Sequence, residues 1–300
     1  MMSIPLVFPK SEAARFEPYL PPLSAGSGDS HADTLPFVTL TFATSLDSAL
    51  SLGPGIRTAI SGPQSKAMTH YLRSRHDAIC VGVGTAIADD PGLNCRLPAA
   101  GNAGTVAAAI PGGRCGLNDD SATPTTACQP RPIVIDPRLR WSFTSQSKVM
   151  QLARAGEGLA PYILTAVTEP PVDKRILLEE HGAKFIILRP AQSRDQNPKG
   201  GCRRFDWRAI LAAVREEGLR SIMIEGGGAV INSLLSPGNT ELIDSVIVTI
   251  APTWLGQGGV VVSPSRPPGE GAQSGPAARL TDTRWLPLGE DVVLCGRIAK

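Results

Sequence analysis

Three short runs carry the residues best suited to chemistry. In the first, Ile222-Met223-Ile224 ends in Glu225, then Gly226-Gly227-Gly228-Ala229 follow. Such a run reads as an apolar strand closing in a carboxylate and a glycine turn, with a helix after it. Glycines let backbone come close to a ligand and leave N–H groups free at a helix start, which suits an anion such as a pyrophosphate. The same run also fits an ordinary strand-to-helix turn. The second is Val81-Gly82-Val83-Gly84-Thr85-Ala86-Ile87. It matches half of the glycine fingerprint for dinucleotides, but Ile87 stands at the third glycine position. No clear second strand–helix unit ending in an acidic residue follows it. Thr85 brings a hydroxyl. The third is Asp89-Asp90-Pro91-Gly92-Leu93-Asn94-Cys95-Arg96. Its carboxylate pair suits a cation, but Pro-Gly makes a turn the simpler reading and no further ligand cluster accompanies it. Arg96 suits a phosphate gripped at two points, or plain solvation.

Single residues add less. Asp47, after Thr44-Ser45-Leu46, reads as a turn residue or a site carboxylate. His70 and His76 lie six residues apart, off any shared helical face, so they make no zinc pair. The chain has no G-x-S-x-G elbow, no Walker lysine motif and no H/C-x-E with PCxxC, which counts against hydrolase, nucleotide triphosphatase and zinc-deaminase readings.

Alternating strands and helices must position these runs. Val38, Leu40 and Phe42 alternate with threonines as a strand. Ser61-Gly62-Pro63 opens a helix carrying Ala67, Met68, Tyr71 and Leu72 on one face, with Arg73 beside it. Further strands are expected at 78–83, 132–135, 162–165, 184–188, 220–225 and 243–250. Helices are expected at 172–181, 206–217, with Asp206 as N-cap, and 229–235. Two closing strands near 279–286 and 291–298 form a hairpin. The pattern implies an α/β fold with a mostly parallel sheet covered on both faces. Residues 1–34 are expected to be a flexible leader, and 35–300 a single domain with inserted loops near 99–130, 190–204 and 263–278.

The 300 residues carry a formal net charge of +2, too little for a nucleic-acid binder, and no apolar run long enough for a membrane span. Six cysteines without a CxxC pair suit free thiols in a reducing compartment. Without a recognisable signal peptide, the cytoplasm is the expected location.

The motifs, in their order, resemble the reductase family that includes the RibD C-terminal domain and the stand-alone fungal and archaeal reductases of riboflavin synthesis. The matching pieces are Thr39-Leu40-Thr41 with Ser45-Leu46-Asp47, Arg57-Thr58-Ala59-Ile60-Ser61, Met68 to Arg73, Val81 to Thr85 and Asp89 to Arg96. Pro132 to Asp136, the Glu225 glycine run, Ile250-Ala251-Pro252 and Leu255-Gly256 with Gly258 complete them. The resemblance implies a dihydrofolate-reductase-like three-layer fold, a homodimer, and NADPH, or NADH in its place, as hydride donor. It implies cofactor contacts at Ala43, Ala59, Gly84, Thr85, Asp89, Leu188, Gly226, Gly227, Gly228 and Ala229. Arg57, Arg73, Leu93 and Arg96 would hold a pyrimidine ribosyl phosphate, with Glu225 and Asp47 as catalytic carboxylates and no metal. The implied reaction reduces the ribosylamino group of that substrate. A dihydrofolate-type reductase and a non-catalytic nucleotide-binding or dimerisation module are the rival readings. Ala49 stands where several bacterial relatives carry lysine, so a lysine-based role is unavailable there.

Overall fold

The computed structural model describes residues 6–22, 35–98, 129–190, 205–266 and 278–299. The strands are β1 (Phe37–Thr44), β2 (Ala49–Ser51), β3 (Ala78–Gly82), β4 (Arg131–Ile135), β5 (Tyr162–Thr165), β6 (Lys184–Ile187), β7 (Ser221–Gly226), β8 (Ser245–Ile250), β9 (Val260–Val261), β10 (Leu280–Leu288) and β11 (Asp291–Ile298). The helices are α1 (Lys10–Phe16), α2 (Pro63–Ser74), α3 (Val83–Asp89), α4 (Lys148–Arg154), α5 (Val172–Glu179), α6 (Trp207–Glu216) and α7 (Gly228–Leu234).

Nine strands form one sheet in the order β10-β11-β8-β1-β7-β3-β4-β5-β6, and β2 pairs with β9 in a small second sheet. The seven strands from β8 to β6 run parallel to their neighbours, and β11 is antiparallel to both β8 and β10. The expected three-layer α/β fold with a closing hairpin is therefore present.

Strand alternation distributes the core. Val38, Leu40, Cys80, Ile222, Ile224 and Val246 pack under α6 and α7. On the opposite face Ile79, Val81, Val134 and Ile163 meet Ala86 of α3, Met150 of α4 and Leu178 of α5. Met223 and Ile247, also facing that side, meet Met68 and Leu72 of α2. Asp206 caps α6 as expected, accepting from the backbone N–H of Arg208 at 2.8 Å and of Ala209 at 3.2 Å.

Several expectations change. Residues 6–22, taken as part of a flexible leader, carry α1 and bury Phe16, Tyr19 and Leu20 against α2 and the β10–β11 hairpin. The cause is apolar burial joined to an ion pair. Glu17 accepts from Arg75 at 2.8 Å and also bonds the Tyr71 hydroxyl, and the Arg75 side chain is only 1% exposed. Tyr19 donates to the Asp282 carbonyl at 2.6 Å, and Arg297 to the Pro18 carbonyl at 2.8 Å. The strand expected to run through Val83 ends at Gly82, where α3 begins. An acidic residue, Asp136, does follow β4, but it is buried and accepts the Trp141 backbone N–H at 2.8 Å. The expected loops 99–130, 190–204 and 263–278 lie largely outside the described residues, as do 1–5 and 23–34. Cys80, Cys95 and Cys295 are free and buried. Among the described residues, no helix is long and apolar enough to cross a membrane, and no cluster of three or more metal-ligating side chains occurs.

Candidate active site

The sheet order locates a crevice. From β3 the chain crosses to β4 on one side, while from β7 it crosses past β1 to β8 on the other. Connections that part in opposite directions open a gap beyond the C-terminal ends of the two strands, where α/β sheets bind ligands. Both glycine turns lie there. Thr85 Oγ1 donates to the Gly226 carbonyl at 3.3 Å, and a Cβ on Gly227 would sit 2.8 Å from Thr85 Oγ1. The turns, 141 residues apart in sequence, thus form one wall.

The glycines are demanded in two ways. Gly226 and Gly227 have φ of 95° and 46°, which disfavour a side chain. A Cβ on Gly226 would also lie 2.5 Å from Ile231, and one on Gly228 2.4 Å from Val260. Tight packing therefore explains much of the run. Gly84 differs: it is exposed, and nothing lies within 4 Å of a Cβ placed there. The N-caps of α3 and α7, Gly82 and Gly227, supply no side-chain cap to the first helical turns. Open backbone beside two uncapped helix starts fits the diphosphate of a dinucleotide.

Beside this wall stands a polar cluster. Arg73 on α2 grips Glu225, the penultimate residue of β7, with Nε at 2.8 Å and Nη2 at 2.7 Å. Its Nη1 donates to the Asn94 carbonyl at 3.1 Å. Burial disfavours the Arg73 charge, but the Glu225 carboxylate outweighs it and raises the pKa. Both Glu225 oxygens accept from this fork, an arrangement that holds an arginine in place. With both oxygens taken up, Glu225 is placed to orient Arg73. Leu93 is buried with φ 53°, and it turns the chain so that Asn94, Cys95 and Arg96 return toward α2. Gln129 clamps Cys95 through both backbone groups, at 2.8 and 2.9 Å. Arg96 is exposed, and its backbone N and Nε both lie 3.1 Å from ring nitrogens of His70.

The remaining carboxylates separate in role. Asp47 bonds the Ser45 hydroxyl and accepts from the backbone N–H of Leu255 at 3.1 Å and of Gly256 at 2.7 Å. These bonds, led by Ser45, hold its pKa down at about 2. It clasps the chain after β8 to the β1–β2 turn, and so firmly ionised a group is poorly suited to proton transfer. Asp90 accepts from the backbone N–H of Lys148 at the start of α4, at 3.1 and 3.2 Å. The Asp89 carboxyl is pushed up by burial, opposed by the nearby Arg57 guanidinium. Arg57 and Ala59, both exposed, lie in the loop between β2 and α2. Ala43 lies near the C-terminal end of β1, opposite Thr249 of β8. Leu188 follows β6, three strands beyond β3 and about 14 Å away at normal strand spacing. That is within reach of the far end of a dinucleotide whose diphosphate lies at the glycine wall. Ala229 sits in the first turn of α7. Sequence reasoning missed His70 as a site residue, because its partner is 26 positions away and no motif links them.

A model of the RibD C-terminal domain matches residues 36–294. The chain belongs to that family. It is 39% identical over 271 residues to the 2,5-diamino-6-ribosylamino-4(3H)-pyrimidinone 5′-phosphate reductase of Candida glabrata, covering 90% of this chain and 92% of that one. The enzyme of the same name from Saccharomyces cerevisiae is 37% identical, with 94% and 93% covered. Among solved structures, the riboflavin biosynthesis reductase of Saccharomyces cerevisiae aligns with a TM-score of 0.64 and 32% identity, covering 95% of this chain and 98% of that one. Acinetobacter baumannii RibD, at 21% identity, 89% and 59% coverage and a TM-score of 0.60, shares the fold. The RibD C-terminal domain family thus spans the whole crevice, both glycine turns and the arginine cluster.

Proposed function

We propose that this chain reduces the ribosylamino group of 2,5-diamino-6-ribosylamino-4(3H)-pyrimidinone 5′-phosphate to a ribitylamino group, with NADPH as reductant. The observation that carries the reading is the Thr85–Gly226 contact, which joins two distant glycine turns into one crevice beside Arg73 and Arg96. The names of the fungal relatives point to the same substrate.

In this reading Gly84, Thr85 and Gly226 to Ala229 hold the cofactor diphosphate by backbone and hydroxyl contacts. Asp89, Ala43 and Ala59 border the dinucleotide, and Leu188 its far end. When bound, the nicotinamide supplies a hydride. The acceptor is C1 of the ring-opened sugar, in its imine form. A new C–H bond forms there as the C=N π pair moves to nitrogen, which takes one proton. Because Glu225 is engaged on both oxygens and Asp47 is clasped to its loop, we assign that proton to water. Glu225 fixes Arg73 as part of the crevice wall, and Arg57 and Arg96 hold the substrate with Leu93 packed beneath it. Arg96 meets the phosphate. The protein's part is orientation of two reactants, which converts an encounter into a reaction within one complex. The enzyme acts as a homodimer in the cytoplasm.

The test is NADPH oxidation by the purified protein with the diamino substrate, its deaminated counterpart and dihydrofolate, repeated with NADH. Turnover with the diamino compound and NADPH supports the reading. Turnover only with the deaminated compound overturns the substrate, turnover with dihydrofolate overturns the reaction, and NADPH binding without any oxidation overturns catalysis. Faster turnover with NADH overturns the choice of reductant.

A further inference from the structure

We propose that His70 is a positioning residue that sets the Arg96 guanidinium for the phosphate of the substrate. This rests on the role given to Arg96 above and deepens it. His70 lies on the inner face of α2, 3% exposed, one turn before Arg73. Both of its ring nitrogens face the same residue: Nδ1 is 3.1 Å from the Arg96 backbone N, and Nε2 is 3.1 Å from Arg96 Nε. The Cys95 thiol donates to the His70 carbonyl at 3.2 Å, so ring and backbone together seat the Cys95–Arg96 pair.

An arginine that binds phosphate needs its terminal fork free and its stem fixed. Here the stem is fixed at Nε, and among the described residues Nη1 and Nη2 meet no acceptor. Arg73 next door is built the other way, its fork closed on Glu225. One arginine is therefore committed within the protein, and the other is held but open. The ring that holds it must offer a lone pair. Burial, then the charges of Arg73 and Arg96, push His70 down to about 3, so it stays neutral at working pH. A neutral imidazole has one N–H and one lone pair: with the lone pair on Nε2 the ring accepts from Arg96 Nε–H, and the Asn94 carbonyl takes the ring N–H. In that tautomer the guanidinium stem is held and no second donor can be accepted by the ring.

The test uses steady-state kinetics of the full chain on the phosphorylated substrate and on the same compound without its phosphate. His70→Leu is expected to raise KM for the phosphorylated substrate about tenfold, as for a lost bond to a charged group, with kcat within about twofold. It leaves the dephosphorylated substrate unaffected. His70→Gln, whose amide oxygen falls near the Nε2 position, is expected to restore KM, and His70→Asn, which is too short, is not. In an Arg96→Ala background, His70→Leu adds nothing further. If Arg96→Ala itself leaves KM unchanged, the phosphate role of Arg96 falls and this proposal with it. If Arg96→Ala raises KM but His70→Leu does not, only the role of His70 is overturned. Equal effects of His70→Leu on both substrates or in both backgrounds overturn it as well. Should the leucine variant fail to fold, the Gln–Asn comparison decides, and equal KM for the two refutes the idea.

Discussion

Gly84→Ala should make the protein more stable and its cofactor binding weaker. The residue is second in α3, and a Cβ there meets no atom within 4 Å, so the apo fold has room for the methyl. Replacing a helical glycine by alanine typically gains about 0.5–1 kcal/mol, and the first turn gives the lower end. For a domain of this size that corresponds to a Tm rise of about 1–2 °C. The same methyl would project into the space assigned to the cofactor diphosphate. Losing one or two N–H contacts to a charged group costs about 1.5–3 kcal/mol, or about 10- to 100-fold in Kd. Thermal melts of the apo protein and calorimetric titration with NADPH measure the two effects separately. A Kd within twofold of the parent, alongside the raised Tm, would refute the close approach at Gly84 and with it the placing of the diphosphate on that turn.

Other expected outcomes follow from the packing. Gly226→Ala combines a φ of 95° with a Cβ 2.5 Å from buried Ile231, and should destabilise the fold by about 2–4 kcal/mol in chemical denaturation. A loss under about 1 kcal/mol would show that α7 can shift to make room. Glu17→Gln leaves the Arg75 charge buried without its counter-ion and should cost about 2–3 kcal/mol, less than a fully buried pair because Glu17 is 24% exposed. An unchanged denaturation midpoint would mean the pair is solvated in solution. Asp47 has a folded pKa of about 2, below its ordinary 3.8. The stability linked to it is therefore complete above that ordinary value and lost as pH falls through about 2. An NMR titration of its carboxyl carbon with a midpoint at 3.8 or higher would contradict the clasp.

The parallel sheet was legible because its strands alternate or run apolar, as at Val38 to Phe42 and Ile222 to Ile224. Asp206 announced α6 because an N-cap is a local signal. The missed elements lack such signals. α1 is a 7-residue helix without a side-chain cap, its buried face only Ala13 and Phe16, set in a proline-rich stretch that reads as coil. α4 is as short and also lacks a side-chain cap hydrogen bond. The β2–β9 pair joins segments more than 200 residues apart, which no window of sequence can reveal. In the site, the glycine turns were legible by composition, but the roles of the carboxylates were not. Glu225, Asp47 and Asp90 are equivalent as letters. What separates them is whether an arginine fork, a pair of loop amides or a helix start takes up their oxygens.

The docking of residues 6–22 couples the order of synthesis to the order of folding. Phe16, Tyr19 and Leu20 leave the ribosome early, yet part of the surface that covers them, Leu286, Leu288, Val293 and Cys295, is made only in the last tenth of the chain. Until then only the earlier part of that surface, Met68, Tyr71, Leu72, Met223 and Ile247, is there to cover them. A nascent or truncated chain lacking the β10–β11 hairpin would still display them. The hairpin thus closes over a segment that lies far before it in the chain, and without it the aromatic side chains there lose part of their cover.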